Sequence, residues 1–273
     1  VQVTLYRDNH AWCPYCQKVW LWLEWKRIPY KVKKITMRCY GEKENWYKRI
    51  VPSGMLPALS LNGNLITESD DILFALENVY GPLGIQLQDK NALRYRKLER
   101  ELFTAWCILL CKPIFINNQR ERRRKEFRSV ASKLNEELTR GNGPFLDSIK
   151  DKNNNYMPGS IDIIFIPYLE RMNASLAYYQ GIKIREEFKG INQWFNALEK
   201  TKTYLGTQGD FHTHAHDLPP QMGSCWEDPS PLQKELSSEI DSGKGLGALE
   251  SSLNTEGSWK EIALTRVIKH HQK

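Results

Sequence analysis

Nearly every strand-forming run of this chain lies before Gly81, and that asymmetry limits the available folds more than any other feature. Val3-Thr4-Leu5-Tyr6 is β-prone and of strand length. Pro14 suits the first position of a helix, and Cys16, Val19, Trp20 and Leu23 then recur at three- and four-residue spacing, which gives that helix one apolar face. Tyr30 to Ile35 alternates in part, and a helical segment around Asn45 to Ile50 ends at Val51-Pro52-Ser53-Gly54. Two apolar runs, Leu56 to Leu61 and Leu65-Ile66, flank Asn62-Gly63-Asn64, a strong hairpin signal. A helix from Ser69 to about Tyr80 completes the order strand, helix, strand, helix, hairpin, helix.

Past Gly81-Pro82-Leu83-Gly84 the period becomes helical. Leu98, Leu102, Ala105 and Leu109 keep one helix face, and Ile161, Ile164, Phe165, Leu169, Met172 and Leu176 keep another. The expected architecture is an α/β domain over 1–82, an all-helical bundle over 88–215 and a polar extension over 216–273. Its Pro, Ser and Gly content makes the extension partly flexible, with a short helix near Trp259 to Ile268.

The chemistry concentrates at the first strand-to-helix junction, Cys13-Pro14-Tyr15-Cys16. A thiol is a useful nucleophile only as thiolate, and the amides at a helix amino terminus stabilise that anion. Cys13 precedes the helix and is expected to attack; Cys16 lies inside the first turn and either resolves the product or tunes its neighbour. A zinc site would need a second Cys-x-x-Cys, whereas Cys107 and Cys111 are four apart, so no metal is expected here; zinc or an inert pair are the bland alternatives. Cys39, Cys107, Cys111 and Cys225 read as packing or incidental thiols.

Two further elements agree with a peptide-like ligand. Leu56-Pro57 precedes a strand, and a cis bond there leaves the Leu56 backbone free to pair with an extended peptide. Glu68-Ser69 opens a helix: its amides and hydroxyl suit a carboxylate, and Glu68 suits an α-ammonium group.

Six cysteines among 273 residues, two of them spaced as a reactive pair, fit a reducing compartment rather than a disulfide scaffold. No run is long and apolar enough to span a bilayer, so a soluble chain without a membrane partner is expected. The balance of 39 Lys+Arg against 32 Asp+Glu allows an anionic partner. Arg122-Arg123-Arg124-Lys125 is interleaved with Glu121 and Glu126 and reads as a solvated helix face, not a nucleic-acid grip. His212, His214 and His216 alternate as in a loop folded over the cleft, without a helix to gather them on a metal. Trp20, Trp22 and Trp25 read as core or interface packing.

These residues resemble the glutathione-transferase superfamily over about Thr4 to Cys225, specifically its cysteine-containing classes. Tyr6-Arg7-Asp8 through Trp12-Cys13-Pro14-Tyr15-Cys16, together with Thr213-His214-Ala215-His216-Asp217-Leu218-Pro219-Pro220-Gln221, look most like the iota class of photosynthetic organisms. Omega transferases, dehydroascorbate reductases and glutaredoxins are more distant resemblances. The resemblance implies a thioredoxin-like domain joined to a helical one, glutathione as cofactor, and a mixed disulfide between Cys13 and glutathione. It further implies that Lys43 pairs with the glycyl carboxylate, that Leu56 before a cis Pro57 pairs with the cysteinyl backbone, and that Glu68 and Ser69 hold the γ-glutamyl end, with Pro14 and Tyr15 beside the sulfur. A homodimer is the superfamily habit, and plastid or cytosol is the implied location. Gly159-Ser160-Ile161-Asp162 departs from the family's Ser-x-x-Asp capping box; glycine there is expected to be tolerated and Asp162 to be structural.

The expected function is thus a glutathione-dependent thiol transferase acting on small disulfides, with deglutathionylation and dehydroascorbate reduction as candidate reactions. Conjugation to electrophiles should be weak, since it needs a Ser or Tyr where this chain has Cys13. The alternatives are a protein that holds glutathione or a hydrophobic ligand without turnover, or a transferase that conjugates glutathione to electrophile substrates.

Overall fold

The computed structural model describes residues 1–115 and 118–243. Strands β1 (Val3–Asp8), β2 (Lys31–Ile35), β3 (Ala58–Leu61) and β4 (Asn64–Thr67) form one sheet in the order β2-β1-β3-β4. β1 and β2 are parallel, so the chain must cross over between them, and α1 (Pro14–Trp25) makes that crossing. β3 runs antiparallel to both β1 and β4. The β3–β4 turn has positive φ at both Asn62 (51°) and Gly63 (88°), as a two-residue hairpin matching strand twist requires.

Alternation along the strands feeds two apolar layers. Leu5 and Leu59 join Val19, Trp22 and, from α3 (Ser69–Tyr80), Ile72, Leu73 and Leu76 in one core. Tyr6, Ile35 and Ala58 turn to the other face, where α2 (Asn45–Ile50) closes a smaller cluster with Tyr47. Each fully buried aliphatic side chain here stabilises the fold by roughly 1.5–3 kcal/mol.

After α3 the chain is helical: α4 (Lys90–Cys111), α5 (Gln119–Arg140), α6 (Ser160–Gln180), α7 (Ile184–Glu187), α8 (Lys189–Leu198), α9 (Lys202–Thr207), α10 (Phe211–His216), α11 (Leu218–Met222) and α12 (Pro231–Asp241). Together the two parts make the glutathione-transferase fold, a mixed sheet domain followed by a larger helical one. Helix α6 is buried along its whole length and packs against α1, α4, α10 and α12. A small ribbon of β5 (Ser148–Lys150) and β6 (Tyr156–Pro158) interrupts the helices. Three-residue strands are too short for alternation to reveal them.

Two sequence expectations need correcting. The stretch after Asp217 is helical and packed through Asp241: α11 packs against α10 and α12 against α6, and Leu218, Leu236 and Ile240 are buried. The Asp228 amide donates to Tyr179 O (2.7 Å) and the Trp226 amide to Leu110 O (2.8 Å). The overlooked signal is Ser230-Pro231, a capping residue with proline at the first helical position, ahead of Leu236 and Ile240 one turn apart. The helix expected near Trp259 to Ile268 lies outside the described residues.

The basic run is the other. Arg120 and Arg124 pair with Asp228, Arg123 donates to the carbonyls of Lys112 and Pro113, and Arg128 pairs with Glu187. These arginines tie α5 to its neighbours rather than forming a uniformly solvated face.

Gly159 is a steric necessity, not a neutral cap. A Cβ there would lie 2.1 Å from Asp147 Oδ2, whose carboxylate accepts the Ile85 amide at 2.7 Å. Gly159→Ser is therefore expected to destabilise the protein by about 1–3 kcal/mol through overpacking, although serine caps helices better than glycine. A urea melt measures it; an unchanged midpoint would contradict this packing. Asp162 is structural, yet its carboxylate closes no capping box. It accepts from the amides of Leu146 (2.9 Å) and Asp147 (3.0 Å) and from Trp194 Nε1 (2.7 Å), while burial pushes its carboxyl up to about 6.

Candidate active site

The Cys13 turn is built by Asp8, the last residue of β1. Its Oδ2 accepts the amides of Trp12 (2.6 Å) and Cys13 (3.2 Å), which folds the connection back and leaves Cys13 at the cap of α1. The Cys16 amide donates to Cys13 Sγ at 3.4 Å, and Pro14, which has no amide to leave unpaired, occupies the first helical position. Cys13 is 8% exposed and Cys16 only 1%, so access favours Cys13.

Electrostatics separates the two thiols further. Hydrogen bonding from the Cys16 thiol holds Cys13 below the ordinary thiol range, helped by the Cys16 amide and the Arg171 charge and opposed by burial and Asp8. Burial pushes Cys16 well up, and its bond to Cys13 adds to the effect. Of the two sulfurs Cys13 is thus the one favoured as thiolate, and Cys16 the one favoured as a protonated donor.

Helix α6 reaches this turn from the helical domain. The fully buried Arg171 donates to the carbonyls of Trp12 and Pro167 (2.6 Å to the latter) and to Gln17 Oε1 (2.8 Å). Gln17 Nε2 in turn donates to Glu170 Oε2 (3.1 Å) and Thr207 O (3.2 Å). Glu170 Oε1 meets His214 Nε2 at 2.6 Å and accepts the Gly209 amide at 2.7 Å. Burial opposes the Glu170 carboxylate, but the His214 contact and the Arg171 charge hold its carboxyl below the usual range. Burial lowers the Arg171 pKa too, from a value so high that the guanidinium stays charged.

The remaining expected ligand residues sit on the sheet side. Lys43 lies within electrostatic reach of both cysteines; burial lowers its pKa, and its ammonium donates to Thr36 O at 3.0 Å. The Leu56–Pro57 bond is cis, and Leu56 lies just before the first β1–β3 pair, Tyr6 with Ala58. Tyr47 hydroxyl donates to Met55 O at 2.6 Å and so anchors the segment carrying Leu56. Glu68 is exposed at the cap of α3 with φ 64°, a left-handed conformation that costs a non-glycine residue about 1–3 kcal/mol and tends to occur at ligand sites. Ser69 follows, buried, and Tyr15 is partly exposed beside Cys16.

The glutathione S-transferase amino-terminal domain family matches residues 12–79, which contain the cysteine turn, the cis proline and all but the last residue of α3. Glutathione S-transferase DHAR2 of Arabidopsis thaliana is 25% identical over 196 residues, 72% of this chain and 84% of its own. Glutathione S-transferase L3 of the same plant is 26% identical over 200 residues, 72% and 79% of the two chains. The chain is thus similar to glutathione transferases, in its amino-terminal domain by family and along most of its length at lower identity. Among solved structures, the dehydroascorbate reductase of Chlamydomonas reinhardtii matches this chain with a TM-score of 0.65 at 17% identity, over 80% of this chain and 97% of its own. At that identity the likeness shows the fold alone.

Asp8, Tyr47, Glu170 and Arg171 escaped the sequence reading as parts of this site. For Glu170 and Arg171 the signal was there, since adjacent opposite charges inside an apolar helix must be paired to be buried. His214 is buried with them, whereas His212 and His216 lie exposed one turn apart on α10, which is a helix and not the expected loop.

Proposed function

We propose that this chain is a glutathione-dependent thiol transferase whose intermediate is a disulfide between Cys13 and glutathione. The observation that carries the reading is the asymmetric pair of thiols, with Cys13 favoured as thiolate at a helix cap and Cys16 kept protonated beside it. The Cys13 thiolate attacks the glutathione sulfur of a mixed disulfide, forming the Cys13–glutathione bond and releasing the substrate thiolate, which takes a proton. A glutathione thiolate then attacks that intermediate, freeing Cys13 and leaving oxidised glutathione. A low thiol pKa helps the second step, in which Cys13 is the leaving group.

Lys43 pairs with the glycyl carboxylate, Leu56 before Pro57 with the cysteinyl backbone, and Glu68 and Ser69 with the γ-glutamyl end; Pro14 and Tyr15 border the sulfur. Cys16 tunes Cys13 rather than resolving it, because its burial and raised pKa disfavour attack. The DHAR and L3 relatives support glutathione as co-substrate, and the structure of a dehydroascorbate reductase with this fold makes dehydroascorbate a second substrate to assay. The iota-class reading rests on the motifs around Cys13 and His214. We assign a reducing compartment, plastid or cytosol: relatives are named both cytosolic and chloroplastic.

The assay is turnover of a glutathionylated model substrate with reduced glutathione; ligand retention without turnover would favour a binding protein instead. Alkylation adds a check on the sulfur. The rate follows the thiolate fraction, so Cys13, with its pKa lowered, keeps labelling to lower pH than an ordinary thiol, while Cys16, with its pKa raised, labels more slowly. Peptide mapping after iodoacetamide treatment reads both, and equal labelling of the two would contradict the assignment.

A further inference from the structure

We propose that His212, His216 and Asp241 form a transition-metal site that clamps α12 to α10. The two histidines are one turn apart on the same face of α10, with ring centroids 4.2 Å apart. Asp241, the last residue of α12, approaches them from a separate element, with Oδ1 2.7 Å from His216 Nε2. One ligand atom from each residue lies within 4.8 Å of both others, and all three side chains are exposed.

The donor set and its geometry point to a borderline ion of the zinc, cobalt or nickel type. Imidazole nitrogens favour such ions, whereas magnesium and calcium prefer all-oxygen sites. Metal–nitrogen and metal–oxygen bonds of about 2.0–2.2 Å place tetrahedral ligand atoms roughly 3.3 Å apart. Reaching that spacing requires the 2.7 Å His216–Asp241 contact to open and the other separations, none above 4.8 Å, to adjust by an ångström or so, as roughly 3.3 Å demands. Exposure leaves the fourth position to water.

A supporting contact holds the third ligand. The Tyr178 hydroxyl, from α6, donates to Asp241 Oδ2 at 3.2 Å, and its ring packs edge-on against His216 at 5.1 Å. Such an outer partner fixes a carboxylate ligand's orientation and leaves its other oxygen to the ion. The site is separate from the cysteine turn, and its histidines take no part in the thiol chemistry. Among the three histidines of this segment, only His214 is committed elsewhere, to Glu170.

The test is titration of the metal-free, reduced full chain with cobalt(II), followed by absorption, and with zinc(II), followed by calorimetry. One equivalent should bind, and the cobalt spectrum should lack the intense near-ultraviolet band of thiolate ligation. His212→Ala and His216→Ala should each weaken binding at least tenfold, and Tyr178→Phe about tenfold. Circular dichroism melts without metal establish that the variants fold. A double His270→Ala, His271→Ala variant should bind as the parent does. A thiolate band, binding unchanged in the His212 and His216 variants, or no binding at micromolar metal would overturn the proposal.

Discussion

Cys13→Ser is expected to lower thiol-transfer turnover by at least ~10³-fold, the effect of removing a nucleophile from a site whose other parts remain. A serine hydroxyl is not ionised at neutral pH and forms no disulfide, so neither half of the exchange can proceed. Cys16→Ser should stay within about tenfold of the parent, because a hydroxyl in the same place still donates to the Cys13 sulfur. Comparing the two variants on one glutathionylated substrate separates the roles. If the Cys16 variant lost as much activity as the Cys13 variant, the reaction would run through both thiols and the tuning role would fall. Full activity in the Cys13 variant would remove the mechanism altogether.

Arg171→Met should be the most disruptive single change away from the sulfur. The guanidinium is fully buried and holds Trp12 O, Pro167 O and Gln17 Oε1 at once. Removing it leaves those acceptors unpaired and takes a compensating charge away from buried Glu170, at a cost of about 3–5 kcal/mol. That is a large share of a domain's usual 5–15 kcal/mol. The same change should raise the Cys13 thiol pKa, since the Arg171 charge favours the thiolate. Denaturant melts read the first effect and the pH profile of Cys13 alkylation reads the second. Arg171→Lys keeps the charge without the fork, so it should restore part of the alkylation profile and less of the stability. A stable Met variant with an unshifted profile would show that α6 does not set the turn.

Local patterns exposed much of this fold, and long-range partners stayed hidden. The crossover from β1 to β2 follows from a β-prone run feeding Pro14 and an apolar helix face, and the hairpin follows from Asn62-Gly63. The switch to helix beyond Gly81 is equally visible as a change of period. Asp8, by contrast, looks like any acidic residue at a strand end until its carboxylate is seen closing the Cys13 turn. Arg171 is more than 150 residues from the turn it supports, and no periodicity links the two. Gly159 reads as a weak cap because Asp147, which fills the space, comes from a neighbouring loop. The segment after Asp217 misleads for a different reason. Averaged over Pro and Ser its hydrophobicity is low, yet Leu236 and Ile240 fall on one helix face and meet α6. Alternating histidines suggest an extended chain, but on α10 the same spacing splits them, sending His214 inward and His212 and His216 out together.

Mass analysis of the reduced protein after incubation with oxidised glutathione tests the central claim most directly. The account predicts a single glutathionyl group on Cys13, located by peptide mapping and released by reduced glutathione. An unmodified Cys13, with adducts confined to exposed Cys39 or absent, would contradict it.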